Sequence, residues 1–277
     1  MAFSANNWAQ SPRWFWTFVV AAAGCVVVYL LNLFMAEVHP GNLWGLSYGI
    51  AAGVLMVFVM LLGLRKRTKK IATRLGLGKS QAWVQLHVYG GALFLLLVFM
   101  HSGFRLPSGA LAWWMFILSV WVTLSGIVGV ALQKWIPKML TSGLTVEVIY
   151  ERIPELIKEI SSKAEELIAS SAEPVKEFYE NNLAATLAAP QPRLIYYLDI
   201  TGGINSQMKQ FEYVRQFLSA EEKEKLRRLE ALYKTKLEID AHLTLQKALR
   251  GWLYTHVPLS LVLLMLVGIH LYSVLYY

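Results

Sequence analysis

The sequence predicts an all-α integral membrane protein with five transmembrane helices and a helical insertion between the fourth and fifth. Three observations predict it. First, 56% of the 277 residues are hydrophobic and 16% are charged, which is too apolar for an ordinary soluble domain. Second, five segments, at 15–36, 44–64, 82–104, 111–133 and 252–275, each supply the ~20 apolar residues that a hydrocarbon core requires. Third, charge is unevenly placed: the first 64 residues hold Arg13 and Glu37 and no other charged side chain.

Residues 1–43 read as a tail plus an extra transmembrane helix. Its apolar run is too long for a signal-peptide core. The one cysteine, Cys25, follows "AAAG" but is itself followed by "VVVYLLNLF", so it reads as mid-helix rather than as a lipid-anchor site. Residues 44–133 hold helices two to four, and 251–277 hold helix five. Trp14, Trp16, Trp44, Trp83, Trp113, Trp114, Trp252, Tyr276 and Tyr277 lie near the ends of these segments, as an interfacial belt does.

The insertion, 134–250, carries seventeen acidic and seventeen basic residues and is neutral. "TVEVIYERIPELIKEISSKAEELIASS" and "SAEEKEKLRRLEALYKTKLEIDAHLTLQKALRGW" place apolar residues at helical spacing. Ser219 with Glu222 forms a capping-box pattern. Pro190, Pro192, Gly202 and Gly203 predict a central break. The insertion reads as a docking surface or a brace.

Orientation follows from Lys and Arg. The loop at 65–79 holds seven, the insertion seventeen and the tail one; the opposite side holds Arg105 alone. This places the N-terminus in the cytoplasm and the C-terminus outside, in a multi-pass protein of a bacterial inner membrane. The basic loop reads as a contact for lipid phosphates, and no nucleic-acid partner is expected.

Four of the six histidines fall inside apolar spans, where imidazole is costly and marks function. His87 and His101 lie in span three, His256 and His270 in span five, and both separations are fourteen residues. Fourteen residues fall about 40° short of four helical turns and rise ~21 Å, so each pair shares one helix face. Spans three and five run parallel by the charge argument. His87 then faces His256 at one depth, and His101 faces His270 at another. Two such bis-imidazole sites suit the axial coordination of haem iron. The spans offer no Asp or Glu away from their ends for zinc or di-iron, and Cys-x-x-Cys-His is missing. A lone intramembrane histidine is commonly a hydrogen-bonded helix contact; two pairs of identical spacing argue against that.

Gly49 and Gly63 are also fourteen apart. With Gly90, Gly91, Gly126 and Gly129 they admit either a flat cofactor or simple helix packing; the last two do not reproduce the spacing. Arg105, Lys79, Lys134 and Arg250 suit haem propionates or the membrane interface. His39 reads as a loop residue. His242 precedes His256 by fourteen and is a possible extra ligand, but its partner position, 73, is Thr, so a third haem would need another ligand. Trp83, Tyr89, Trp252 and Tyr254 are candidates for a quinone site.

These residues resemble the di-haem cytochrome b superfamily, over about 44–133 and 250–277. The resemblance implies that helices two to five form a four-helix bundle around two b-type haems. It implies His87–His256 and His101–His270 as axial ligand pairs, and Gly49 and Gly63 as the glycines against which the haems pack. The implied function is transmembrane electron transfer, as the membrane subunit of a respiratory or photosynthetic redox complex rather than an enzyme on its own. Quinone or quinol, and iron–sulfur, flavin or c-type cytochrome subunits, would be its partners in a hetero-oligomer within the lipid bilayer. There are departures. The Pro-Glu-Trp-Tyr motif is missing, so the outer quinol-oxidation site of cytochrome bc complexes does not carry over, and the insertion is foreign to that core. Ferric reductases and NADPH oxidases use similar paired histidines, but the flavin and nicotinamide domains of those relatives are not in this sequence. The competing expectations are a stand-alone reductase of ferric or other extracellular acceptors, a non-catalytic haem-binding structural subunit, and a proton or ion transporter with histidine relays.

Overall fold

The computed structural model describes residues 12–68, 78–144 and 149–276, without the side chains of 66, 67, 142 and 143. Everything regular among the described residues is helical. Five helices are long and apolar enough to cross a membrane: α1 (Pro12–Met35), α2 (Leu43–Arg67), α3 (Ser80–His101), α4 (Ala110–Gly143) and α10 (Ala220–Tyr276). Their surfaces carry large exposed apolar side chains such as Phe34, Ile50, Ile127 and Leu275, as expected of helices that face lipid. The chain divides into two compact units, 1–131 with 252–277, and 132–251.

In the first unit, α2 packs along α3, and α1 packs on α3. Asn42 starts α2: its side-chain oxygen accepts from the Gly45 amide at 2.8 Å, and its amide donates to the Glu37 carbonyl at 2.6 Å. That uses one of the donors a helix start leaves open. Arg65, near the other end of α2, donates to the Gly78 carbonyl and the Ser80 hydroxyl, each at 2.5 Å, and lies over Trp83. It thereby ties α2 to the start of α3.

The C-terminus of α3 is cut sharply. Gly103 has φ +63°. The Phe104 amide donates to Phe99 at 2.9 Å and the Gly103 amide to Met100 at 3.1 Å, which is a Schellman motif. The Phe99 and Phe104 rings stack across it at 5.8 Å. His101 is therefore the last helical residue, held by a rigid end. A buried pair inside this unit, Asn32 donating to the Tyr48 hydroxyl at 2.7 Å, links α1 to α2.

In the second unit, a short 3₁₀ turn (Tyr150–Arg152) leads into α5 (Ile153–Ala169). Its buried Ile153, Ile157, Ile160, Ala164 and Ile168 form one stripe. Then follow α6 (Glu173–Phe178), a π turn (Tyr179–Leu183), α7 (Ala184–Ala188), a 3₁₀ turn (Leu194–Tyr197), α8 (Ile200–Met208) and α9 (Gln210–Arg215). They surround the α10 segment 236–245, whose ten residues are all buried. Within it, Lys236 and Asp240 pair at 2.6 Å with both side chains wholly covered. Lys236 also donates to the Ala189 carbonyl, and Asp240 accepts from the Gln191 amide.

Three expectations change. The last span is not a separate helix starting near 252: α10 runs from Ala220 to Tyr276 through Gly251. One glycine costs a helix only ~1 kcal/mol, and its neighbours are good helix formers. Gly202 and Gly203 do not break the chain either. They sit in the first turn of α8, where Asp199 caps the Gly202 amide at 2.8 Å. A Cβ at 202 would meet the Asp199 carboxylate at 2.0 Å, so the glycine serves close approach. The break lies earlier, around Pro190 and Pro192. The capping box at Ser219 is also partial: Ser219 accepts from the Glu222 amide, but the Glu222 carboxylate binds the Ala172 amide and Lys225.

Candidate functional site

The four intramembrane histidines meet as two pairs within the first unit. The ring centres of His87 and His256 are 6.2 Å apart with planes at 67°; those of His101 and His270 are 6.3 Å apart at 74°. Since 87 meets 256 and 101 meets 270, α3 and this part of α10 run parallel. Fourteen residues of helix separate the two levels by ~21 Å along the axis.

Three of the rings are held through Nδ1. His87 donates to the Val59 carbonyl at 2.9 Å, and His101 donates to the Gly45 carbonyl at 2.8 Å. Both acceptors belong to α2 and are themselves fourteen residues apart in the opposite sense, as an antiparallel register requires. A carbonyl can only accept, so in the neutral ring Nδ1 carries the proton and Nε2 keeps its lone pair. His256 instead has the Ser125 hydroxyl of α4 at 2.8 Å from Nδ1. His270 makes no hydrogen bond among the described residues.

The level of His256 is further shaped by Trp252, one turn before it. The indole lies on the His256 ring with centres 5.3 Å apart, and its Nε1 donates to the Ser125 carbonyl at 2.7 Å. A Cβ on Gly129 would come within 2.0 Å of that indole, while one on Gly126 would meet His256 at an ordinary 3.6 Å. The helix-four glycines, which lack the fourteen-residue repeat, thus admit Trp252 and His256 of α10 all the same.

Gly49 and Gly63 behave differently from each other. A Cβ at Gly49 would stand 2.7 Å from Nδ1 of His101, whereas at Gly63 nothing lies within 4 Å. Each follows by four residues the carbonyl that holds its histidine, so the sequence repeat is present but the contact is made only once.

Most of the other expected residues have partners elsewhere. Arg105 pairs with Glu37, both largely exposed. Arg250 pairs with Glu151 and lies over Tyr150 at 3.8 Å, inside the second unit. Lys79 is exposed at the start of α3, and Lys134 is in the last third of α4. His39 accepts from the Gly41 amide in its loop. His242 is buried in the second unit, of which it is the one histidine; position 73, its notional partner, lies outside the described residues. Of the aromatic candidates for a quinone, Trp252 lies beside His256, Trp83 lies under Arg65, Tyr89 stacks on Phe18 and Tyr254 is exposed.

Among the described residues, no group of three or more His, Cys, Asp or Glu side chains comes together as a bare metal site. Among the described residues, neither histidine pair has a third His, Cys, Asp or Glu gathered with it. Sequence reasoning missed Ser125 and the Gly45 and Val59 carbonyls. A backbone acceptor leaves no mark on residue type, and serine is common in membrane helices. Trp252 carried a usable signal, since it lies four residues before His256 and so on the same face. Compared with models of protein families, curated proteins and solved structures, the chain shows no match.

Proposed function

We propose that the chain carries electrons across a membrane through two b-type haems, one held by His87 and His256 and one by His101 and His270. It would do so as the membrane subunit of a respiratory or photosynthetic complex of the cytochrome b kind, with helices α2, α3, α4 and the end of α10 as the haem bundle.

The observation that carries the reading is the ring spacing. Two imidazoles that bind one metal from opposite sides through Nε2 at ~2.0–2.1 Å place their ring centres ~6.3–6.5 Å apart. The two pairs stand at 6.2 and 6.3 Å. A second support is that Nδ1 of His87 and of His101 is already engaged by a carbonyl, which leaves Nε2 as the donor toward the partner ring. Such anchoring orients metal-binding histidines and raises their basicity. A third is ligand number: an ion bound by two side chains must bring its other ligands with it, as haem iron does. When bound, haem supplies a reversible one-electron couple. The chain's part is to hold the rings, fix their tautomers and exclude water with the apolar faces around Leu97, Met100 and Leu263.

Two levels ~21 Å apart reach across most of a ~30 Å hydrocarbon core, which suits movement of charge between its faces. The cytoplasmic N-terminus, the bacterial inner membrane, exchange with quinone or quinol and the redox partner subunits all belong to this proposal. Their support is the one-sided distribution of Lys and Arg and the chemistry of the histidine pairs.

The test is a redox-titrated visible spectrum with a haem count on the purified full chain. The expected result is two non-covalent haems per chain, one of them lost in His87→Ala and the other in His270→Ala. Freshly purified protein without haem would refute the proposal. Rapid reduction by a quinol analogue would separate the quinone-linked carrier from a structural haem protein.

A further inference from the structure

The two histidines of the inner pair, His87 and His256, are held by different kinds of acceptor. His87 has a backbone carbonyl and His256 has the Ser125 hydroxyl. A hydroxyl can donate or accept, so it does not by itself decide the His256 tautomer. A second contact does. Ser125 Oγ lies 3.0 Å from the Val122 carbonyl, three residues earlier on α4. That carbonyl can only accept, so the one hydroxyl proton goes to it. Toward His256 the oxygen then presents a lone pair, Nδ1 must donate, and Nε2 is left to bind.

Ser125 is tied down on its backbone as well, since its carbonyl accepts from Trp252 Nε1. Trp252 and His256 are one turn apart on α10. One residue of α4 therefore holds both: its carbonyl takes the indole that lies tilted beside the imidazole, and its hydroxyl takes the imidazole itself.

We propose that Ser125 is a positioning residue that locks His256 in the Nδ1–H tautomer and lowers the reduction potential at the His87–His256 site. This rests on the haem reading above. The chemical reason is that a hydrogen bond accepted from Nδ1–H makes the ring a stronger electron donor, and a stronger donor favours the ferric state. The outer site has this support on His101 alone, because His270 has none among the described residues. Ser125 is thus what makes the two sites unequal: two anchored ligands at one, and one at the other. Its removal brings the inner site to the donor count of the outer one.

The experiment is spectropotentiometric titration of the purified full chain as wild type, Ser125→Ala and Ser125→Thr. Threonine can keep both contacts, because its hydroxyl also reaches back to a carbonyl of the preceding turn. In Ser125→Ala, one haem should become easier to reduce while the other is unchanged. At fixed ambient potential its reduced-to-oxidised ratio should rise on the order of tenfold, which is ~59 mV for a one-electron couple. Ser125→Thr should stay near wild type. Loss of one haem in Ser125→Ala that Ser125→Thr restores would also support the assignment. Unchanged potentials in Ser125→Ala, an equal shift of both haems, or the same loss in both variants would overturn it. A wild-type chain without haem defeats the underlying reading instead, and with it this assignment.

Discussion

His101 lies against Gly49 so closely that a Cβ at position 49 would stand 2.7 Å from its Nδ1. The same nitrogen donates to the Gly45 carbonyl one turn earlier on α2. The ring is clamped between an acceptor that holds it and a gap that only hydrogen can fill.

Gly49→Ala should therefore push the His101 ring off its carbonyl and cost the haem proposed at His101–His270 at least tenfold in affinity, while the one proposed at His87–His256 stays. Gly63→Ala meets no neighbouring side chain or helix within 4 Å of its Cβ position, so it should leave the His87 ring on its carbonyl, and a haem lost from it would report direct packing of the haem on this glycine. Haem counts on the two variants check this. Equal losses would mean that the sequence repeat, rather than the contact, determines haem packing.

Gly129→Ala should have the complementary effect. Its Cβ would overlap the Trp252 indole at 2.0 Å, and moving the indole disturbs both its contact with the His256 ring and its bond to Ser125. The expected outcome is loss or a raised potential of the inner haem, with the outer one intact. Alanine there with both haems at wild-type potential would remove Trp252 from the site.

Tyr196 in the second unit is fully buried, and its hydroxyl finds no hydrogen-bond partner among the described residues. Burial pushes its phenol from the usual 10 up to about 12. The native state then holds the proton where the unfolded state has lost it. Stability should fall as pH rises from 10 to about 12, by about 2–3 kcal/mol in all. Tyr196→Phe should remove this alkaline loss and, by deleting an unpaired buried hydroxyl, leave the protein as stable at neutral pH or up to ~1 kcal/mol more so. Thermal unfolding of the full chain across alkaline pH measures both.

Lys236 and Asp240 form a wholly buried pair. Burial pulls the lysine pKa down and pushes the aspartate up, while each partner works against that shift in the other. Removing one partner strands a charge. Lys236→Met or Asp240→Leu alone should cost about 3–5 kcal/mol, and the double change should recover most of it. A double-mutant cycle on thermal unfolding gives the coupling; additive losses would show that the pair acts only by packing.

The sequence by itself determined that five segments could lie in a bilayer, that nearly all Lys and Arg fall in the loop at 65–79 and the insertion, and that four histidines recur at fourteen residues. These are properties of residue type and helical period, and both are written in the chain. It misjudged where helices stop: Gly251, Gly202 and Gly203 lie inside helices, because neighbouring propensity, capping and packing outweigh a single glycine. What only the tertiary structure decided is how each histidine is held. The Gly45 and Val59 carbonyls carry no side-chain signature, Ser125 is one serine among several, and Gly49 and Gly63 share a sequence spacing but not a contact. Hydrogen-bond partners come from helix register and rotation, which no single helix encodes. The sequence marks the histidines, and the packing of α2 and α4 around them sets their tautomers and their inequality.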